Sequence, residues 1–401
     1  MNQDQQNQER YLEVASRMQL IHLGPSAGIV YWQPAGLSLY EKLRSYIRGV
    51  HRQHQYLEVK SPSLVGLELF ERSGHLGKYR ENMFLVNQAN EPGAAPDLNS
   101  YGLRPMSCPN HIELYSSARR SYRELPLSLF EFGEVFRNEP SGSLQVLFRQ
   151  RQFCQDDSHV FAAENQVAEV ASRFLSMAQQ VFHDLGFASV EYALSLRPEQ
   201  RFGEDALWDR AEESLRGAFR DAGLSWSEQP GGGAFYGPKI ELGVRDKLGR
   251  LWQMGTLQLD YVLPERFDLG YQAASGQYER PVLLHHAVLG SLERMIGILL
   301  EVHGENLPSF LHPYPAIVIA VSEKSAQYAR HVHGKLRAQE PDALLDDSND
   351  TLGAKLRLWR SRGVANVYVV GEKEAEKFAA SGEVWAMRSE GRAQQPVRIG
   401  Q

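Results

Sequence analysis

Arg104–Phe161 reads RPMSCPNHIELYSSARRSYRELPLSLFEFGEVFRNEPSGSLQVLFRQRQFCQDDSHVF, and the fold is decided there. LSLFEFGEVFR and QVLFRQRQF alternate apolar or aromatic residues with charged ones on either side of an Asn-Pro-Ser-Gly loop. That pattern predicts two antiparallel strands joined by an open connection. Arg137 leaves the first strand, and Arg149 and Arg151 are expected on the return strand. Arginines at both ends of such a hairpin form a floor able to hold a phosphate chain. The same stretch holds both cysteines of the chain, Cys108 and Cys154, and ends in Gln155-Asp156-Asp157-Ser158-His159.

Working outward, 401 residues are enough for two domains with a sizeable core. Hydrophobic content of 42% and charged content of 23% are those of an ordinary globular protein. A net charge of −6 does not advertise nucleic acid, although a local basic track is compatible with it. Two cysteines are too few for a disulfide framework and point to a reducing compartment. The polar start shows neither a signal peptide nor a membrane span, so a cytoplasmic protein without membrane contact is expected.

Before the central stretch, residues 1–20 read as a polar start and a short helix, 28–36 as a strand and turn, and 37–55 as a helix. YLEVKSPSL (56–64) reads as a strand stopped at Pro62. Ser73-Gly74-His75 breaks a helical pattern, and 87–102 reads as an exposed loop. After the stretch come a helix over 163–186, a strand, a second helix, and an antiparallel meander over 231–267 with a turn at Asp246–Gly249. A strand then passes through Gly290 into an apolar helix. Beyond a proline linker at 308–315, strands alternate with helices through NVYVVG (366–371), the pattern of a small α/β domain. From Pro313 onward, 13 Lys/Arg stand against 11 Asp/Glu, too even a balance to mark a nucleic-acid face. The expected domains are therefore 1–310 and 313–401.

Arg137 and Arg149 can neutralise phosphates, Glu139 can accept from an adenine amino group, and Phe153 can stack on a base. A solvated strand pair would look much the same. Arg294, placed at the start of an apolar helix, weakens that alternative, because burying it demands an anionic or π partner. Cys108, His111, Cys154, His159, His285 and His286 are all candidate zinc ligands, and a three-ligand set would leave an open position. The competing reading is a group of buried structural side chains, and no C-x-x-C or H-x-x-x-H spacing breaks the tie. Tyr236 and Lys239, in the glycine-rich GGGAFYGPK, are placed for a pocket but lack the ending of a P-loop.

Together the runs RPMSCPNH, EFGEVFRNEPSGSL, RQRQFCQDDSHVF, FYGPKIEL, WQMGTLQLD, LPERF and LLHHAVLGSLER closely resemble the threonyl-tRNA synthetase family of class II synthetases. The resemblance covers residues 28–310 strongly and 313–371 more loosely. It implies an α+β fold, with a class II antiparallel sheet flanked by helices and a small C-terminal α/β domain of the anticodon-binding kind. It also implies a homodimer whose interface includes the strand ending at Pro62. The implied activity is ATP-dependent formation of threonyl adenylate and transfer to tRNA(Thr), with ATP, Mg²⁺ and Zn²⁺. Arg137, Arg149 and Arg294 would neutralise phosphates, and Glu139 would read adenine, with Phe153 and Arg294 sandwiching its ring. Gln253 and Thr256 would complete the ATP site. Gln155, Asp157, Tyr236, Gln258 and Ser291 would hold L-threonine. Cys108, His159 and His285 match the zinc ligands, which leaves out His111, Cys154 and His286. His75 would help deprotonate the acceptor ribose, and Lys239 joins the catalytic set.

The chain also departs from the family. The resemblance begins almost at Met1, so the family's N-terminal editing region is expected to be missing. The family's CPGH is CPNH here, and an Arg after the zinc-binding His is His286. In the C-terminal domain the family's Arg-Asn pair becomes Ser348-Asn349, amid Asp346, Asp347 and Asp350, whose carboxylates would repel phosphates. The domain is also expected to end without the usual final helix. A second reading follows: a paralogue that activates threonine and passes it to a carrier protein or a small molecule. A non-catalytic binding protein is the third, and it fits poorly with a full set of ATP and zinc residues.

Overall fold

The computed structural model describes residues 3–86, 100–390 and 393–399. They form two compact units: one of Gly24–Ile29 with Arg44–Ile298, the other of Met1–Leu23, Val30–Leu43 and Leu299–Gln401. Among the described residues, no helix is long and apolar enough to cross a membrane.

The first unit is built on an eight-stranded sheet. Its strands are β1 (Leu57–Glu58), β2 (Leu127–Phe136), β3 (Gln152–Ala162), β4 (Glu191–Ser195), β5 (Ser227–Gln229), β6 (Lys239–Arg245), β7 (Leu251–Asp260) and β8 (Val282–Ala287). They lie in the order β5-β4-β6-β7-β8-β3-β2-β1. Only the two outermost pairs are parallel. Side chains alternate between faces along each strand, so β3 puts Phe153, Gln155, Asp157 and His159 on one face and Cys154, Asp156 and Ser158 on the other. The first face receives the helix Cys108–Ser116. The opposite face packs on the amphipathic helix Val167–Asp184, whose Phe174 ring centre lies 5.1 Å from that of His286. The two cysteines therefore belong to different layers.

Several elements differ from the sequence reading. The return strand begins only at Gln152, so Arg149 and Arg151 lie in the connection before it. There Gln145 and Arg149 close a tight turn of their own, and Arg151 donates its N–H to Gly28 O while its carbonyl accepts from Arg137 N. Only Leu57–Glu58 of the run stopped at Pro62 joins the large sheet. Past the proline, Leu64–Gly66 enters a separate three-stranded sheet with Leu85–Val86 and Tyr101–Leu103. The expected loop thus ends in a strand, and its residues 87–99 lie outside the described residues. The meander holds for β6 and β7. It stops because Asp260 Oδ1 accepts from Val262 N and Leu263 N and starts the short helix Val262–Arg266.

In the second unit, the N-terminal helix runs over Gln3–Arg17 and is longer than expected. Its C-terminal sheet contains β9 (Ala316–Ala320), β10 (Leu344–Asp346), β11 (Asn366–Val370), β12 (Trp385–Glu390) and β13 (Ala393–Arg398), ordered β10-β9-β11-β12-β13. The first three strands are parallel, as the strand-helix alternation requires. The helix Glu372–Ser381 and the hairpin β12–β13 extend the α/β pattern beyond the part read in the sequence.

Candidate functional site

Register builds the site. Lys239 on β6 faces Gln258 on β7, Gln258 faces His285 on β8, and His285 faces His159 on β3. Residues directly opposite in antiparallel strands share a face, so Gln258, His285 and His159 form one row across the middle of the sheet. Cys108 reaches the row from the first turn of the helix Cys108–Ser116. The ligand atoms of Cys108, His159 and His285 lie within 4.8 Å of one another.

The surroundings of this triad fit a bound cation. His285 Nε2 is 2.9 Å from Asp260 Oδ2, and His159 Nδ1 is 2.8 Å from His111 Nδ1. Each imidazole thus has one nitrogen fixed by a neighbour and the other left over, the usual arrangement around metal-binding histidines. Burial first, and then Asp157 and Asp260, push the Cys108 thiol well above its ordinary pKa. A thiol so placed loses its proton chiefly when a cation binds the sulfur and the proton is released. One sulfur and two imidazole nitrogens are a donor set suited to zinc, with a position left open. His286 and Cys154 lie on the other face of the sheet. There His286 Nε2 is 2.7 Å from Tyr56 Oη, and Cys154 N donates to Glu293.

Beside the row, Tyr236 Oη donates to Gln258 Oε1 at 2.7 Å. Burial raises the Asp157 carboxyl, opposed by His111 among others. Asp156 faces the opposite layer, accepting from Val288 N and Leu289 N at 2.8 and 3.0 Å, and so fixes the segment just before Gly290. His75 is buried, with Nδ1 2.7 Å from Ser73 Oγ and Nε2 3.2 Å from Met106 Sδ and 3.8 Å from Cys108 Sγ. Burial lowers its imidazole to about 4, aided by His285. His75, Cys108 and Tyr236 line one small cavity of about 20 Å³.

A larger cleft of about 230 Å³ adjoins β3 and gathers Arg137, Glu139, Arg149, Phe153, Gln155, Gln253, Thr256, Ser291 and Arg294. The Arg137 guanidinium lies 5.1 Å from the Phe153 ring centre, and Arg149 Nε is 3.4 Å from Glu139 Oε2. Arg294 donates from Nε and Nη2 to Phe148 O, both at 3.1 Å, and its backbone N–H donates to Ser291 Oγ. Burial lowers the pKa of both Arg137 and Arg294, which places cations where a polyanion would be welcome. Gly290 allows this geometry: its φ is +79°, and a Cβ there would stand 2.6 Å from Met254 O. Lys239 is not among the cleft residues; its amine pairs with Glu241 on its own strand. Asp260, Glu131 and Phe148 join the site without being among the residues predicted from the sequence. Asp260 alone was signalled, because it lies two residues beyond Gln258 and so on the same face.

Residues 93–303 match the tRNA synthetase class II core domain (G, H, P, S and T), and residues 316–399 match the anticodon binding domain. The chain belongs to the class II tRNA synthetase family. Within that family its likeness is to the threonyl enzymes. The threonine–tRNA ligases of Polynucleobacter necessarius and Alkalilimnicola ehrlichii are 42% and 43% identical to it over 90% and 89% of its length. The chain spans 56% and 55% of those two relatives. A solved structure titled as the RNA binding domain of threonyl-tRNA synthetase from Cryptosporidium parvum superposes with a TM-score of 0.88 at 36% identity, covering 97% of this chain and 95% of that one. A prolyl-tRNA synthetase of Giardia lamblia, 16% identical, shares the fold at a TM-score of 0.74.

In the anticodon-binding domain, two carboxylates of the Asp-rich run are engaged within the fold. Asp346 is turned inward, accepting from Ser348 Oγ and Trp359 Nε1, both at 2.7 Å. Asp347 pairs with Arg330 at 2.8 Å. Asp350 is the exposed member.

Proposed function

We propose that this class II synthetase activates L-threonine with ATP and transfers the threonyl group to tRNA(Thr), acting as a homodimer in the cytoplasm. The observation that carries the reading is the shared face of β3. Phe153 and Gln155 border the cationic cleft, while His159 two turns of the pleat further on belongs to the Cys108–His285 triad. A nucleotide site and an amino-acid site are thus set side by side on one rigid strand.

In this reading ATP lies in the cleft, with Glu139 accepting from the adenine amino group and Phe153 and Arg294 enclosing the base. Arg137 neutralises the α-phosphate and orients the threonine carboxylate for in-line attack, and Arg149 holds the outer phosphates, whose remaining charge Mg²⁺ would offset. Gln253 and Thr256 border the nucleotide, and Ser291 the threonine side. Cys108, His159 and His285 would hold zinc, which supplies open positions for a paired amino and hydroxyl group that valine lacks. Asp157 accepts from the threonine hydroxyl, and Gln155, Tyr236 and Gln258 frame the amino group. His75, held neutral by its burial, can accept the ribose proton in the transfer step. Lys239, held by Glu241, contributes to the field of the site and not by contact.

The test is threonine-dependent exchange of pyrophosphate into ATP, followed by charging of tRNA(Thr). We expect exchange with threonine, at least a hundredfold less with valine, and stable charging. Exchange without charging would favour a carrier-protein or small-molecule acceptor. Absence of threonine-dependent exchange would overturn the reading.

A further inference from the structure

Behind the His111 contact that holds His159, a buried polar chain continues through Glu131 to Arg104 and Ser61. His159 Nδ1 lies 2.8 Å from His111 Nδ1, the two rings nearly perpendicular at 87°. His111 Nε2 in turn lies 3.3 Å from Glu131 Oε1, off the line of a well-formed hydrogen bond and with no other partner among the described residues. Glu131 takes Arg104 Nη1 at 2.6 Å and Ser61 Oγ at 2.7 Å, and Asn110 Nδ2 donates to the same Ser61 Oγ at 3.1 Å. His111, Glu131, Arg104 and His159 are all at most 2% exposed. A chain so buried permits few proton arrangements.

Those arrangements can be followed atom by atom. An ionised carboxylate only accepts, so the Glu131 end places the His111 proton on Nε2. His111 Nδ1 is then a lone pair and accepts from His159 Nδ1–H. The lone pair of His159 is left on Nε2. We infer that His111, oriented by Glu131, is a positioning residue that sets the tautomer and tilt of His159 so that its Nε2 faces the metal triad. This rests on the zinc reading given above and goes beyond it, because it assigns a role to the one histidine of the CPNH run that does not ligate. His285 has the mirror arrangement: Asp260 holds its Nε2, so its Nδ1 would be the ligand atom. Outer partners of metal-binding histidines typically affect metal affinity by about 10–100-fold.

The experiment measures zinc affinity by competition with a chromophoric chelator for the wild type, His111→Asn and His111→Leu. Asparagine keeps an acceptor near the Nδ1 position, whereas leucine fills the space and offers none. We expect affinity to fall about 10–100-fold in H111L and much less in H111N. Histidine ¹⁵N NMR of the zinc-loaded wild type should show Nδ1–H for His159 and Nε2–H for His285, a readout that stands even if H111L fails to fold. A folded H111L that binds zinc as tightly as the wild type, or an Nε2–H tautomer at His159, would overturn the inference while leaving the zinc reading intact. A wild type that binds no zinc would overturn both.

Discussion

Glu139 shows how much of the proposed selectivity for ATP rests on one side chain. Its carboxylate lines the cleft, 3.4 Å from Arg149 Nε, on the connection that leaves β2. A hydrogen bond from a neutral amino group to a charged acceptor contributes about 1.5–3 kcal/mol. Glu139→Ala should therefore lower kcat/KM for ATP in the exchange assay about ten- to hundredfold and leave the KM for threonine near its original value. Equal effects on both substrates would remove Glu139 from nucleotide recognition. Single residues were the most legible level of the site, because Arg137, Glu139, Phe153, Gln155 and Arg294 do meet in one cleft. What the residues alone left open was which histidines and cysteines could converge. The alternation of β3 and β8 decides that by sending Cys154 and His286 to the other layer.

At the scale of elements, the sheet was readable wherever period two ran cleanly, and misread where a short contact broke it. The return arm of the hairpin looked like a strand from Gln145 onward, but the Gln145–Arg149 turn and the Arg151–Gly28 bond are long-range or local details that periodicity cannot carry. Gly290 was legible as a break, and its conformation makes a prediction. Gly290→Ala requires a left-handed alanine, costing about 1–2 kcal/mol, and drives a Cβ toward Met254 O. The melting midpoint should fall by about 2–8 °C. The KM for ATP should rise more than that for threonine, because Arg294 rides on the helix that Gly290 begins. Equal rises would locate the damage elsewhere. The helix Pro34–Gln53 supplies a second test through His51, buried against Phe130 with a ring-centre distance of 3.8 Å and with Nε2 3.1 Å from Ser158 Oγ. Burial lowers its imidazole from 6.5 to about 4. The unfolded chain takes up a proton as pH falls through about 6.5, and the folded chain does so only near 4. Stability from this group is therefore complete above about pH 6.5 and is lost on the way down to 4, by about 2 kcal/mol at pH 5. His51→Phe should flatten the decline in melting midpoint between pH 6.5 and 5, whatever its stability at pH 7. An unchanged slope would contradict the assignment of a neutral, buried His51.

For the whole molecule, the composition changes near the prolines at 308–315, while the second compact unit takes in residues from Leu299 onward together with Val30–Leu43; the charge of the C-terminal tip is not legible from the letters. Letters alone counted three aspartates around Ser348 and argued against contact with phosphates. Folding turns Asp346 inward onto Ser348 and Trp359 and pairs Asp347 with Arg330. Those partners lie 2, 13 and 17 residues away, beyond what a local reading of charge resolves. Contact of this loop with tRNA can be tested by adding charge at Ser348, where the resemblance implies an arginine. Ser348→Arg introduces a cation at an exposed position of the anticodon-binding domain, more than fifty residues in sequence from the last cleft residue, Arg294. If tRNA is the acceptor and this loop meets it, the KM for tRNA should fall severalfold. The log–log salt dependence of charging should steepen by about one unit, the signature of one added phosphate contact. Threonine-dependent pyrophosphate exchange should stay as it was, because no group in the cleft or the triad has changed. A shift in exchange would show that the substitution acts on activation. Charging that responds neither in KM nor in salt slope would take the Ser348 loop off the path of the tRNA.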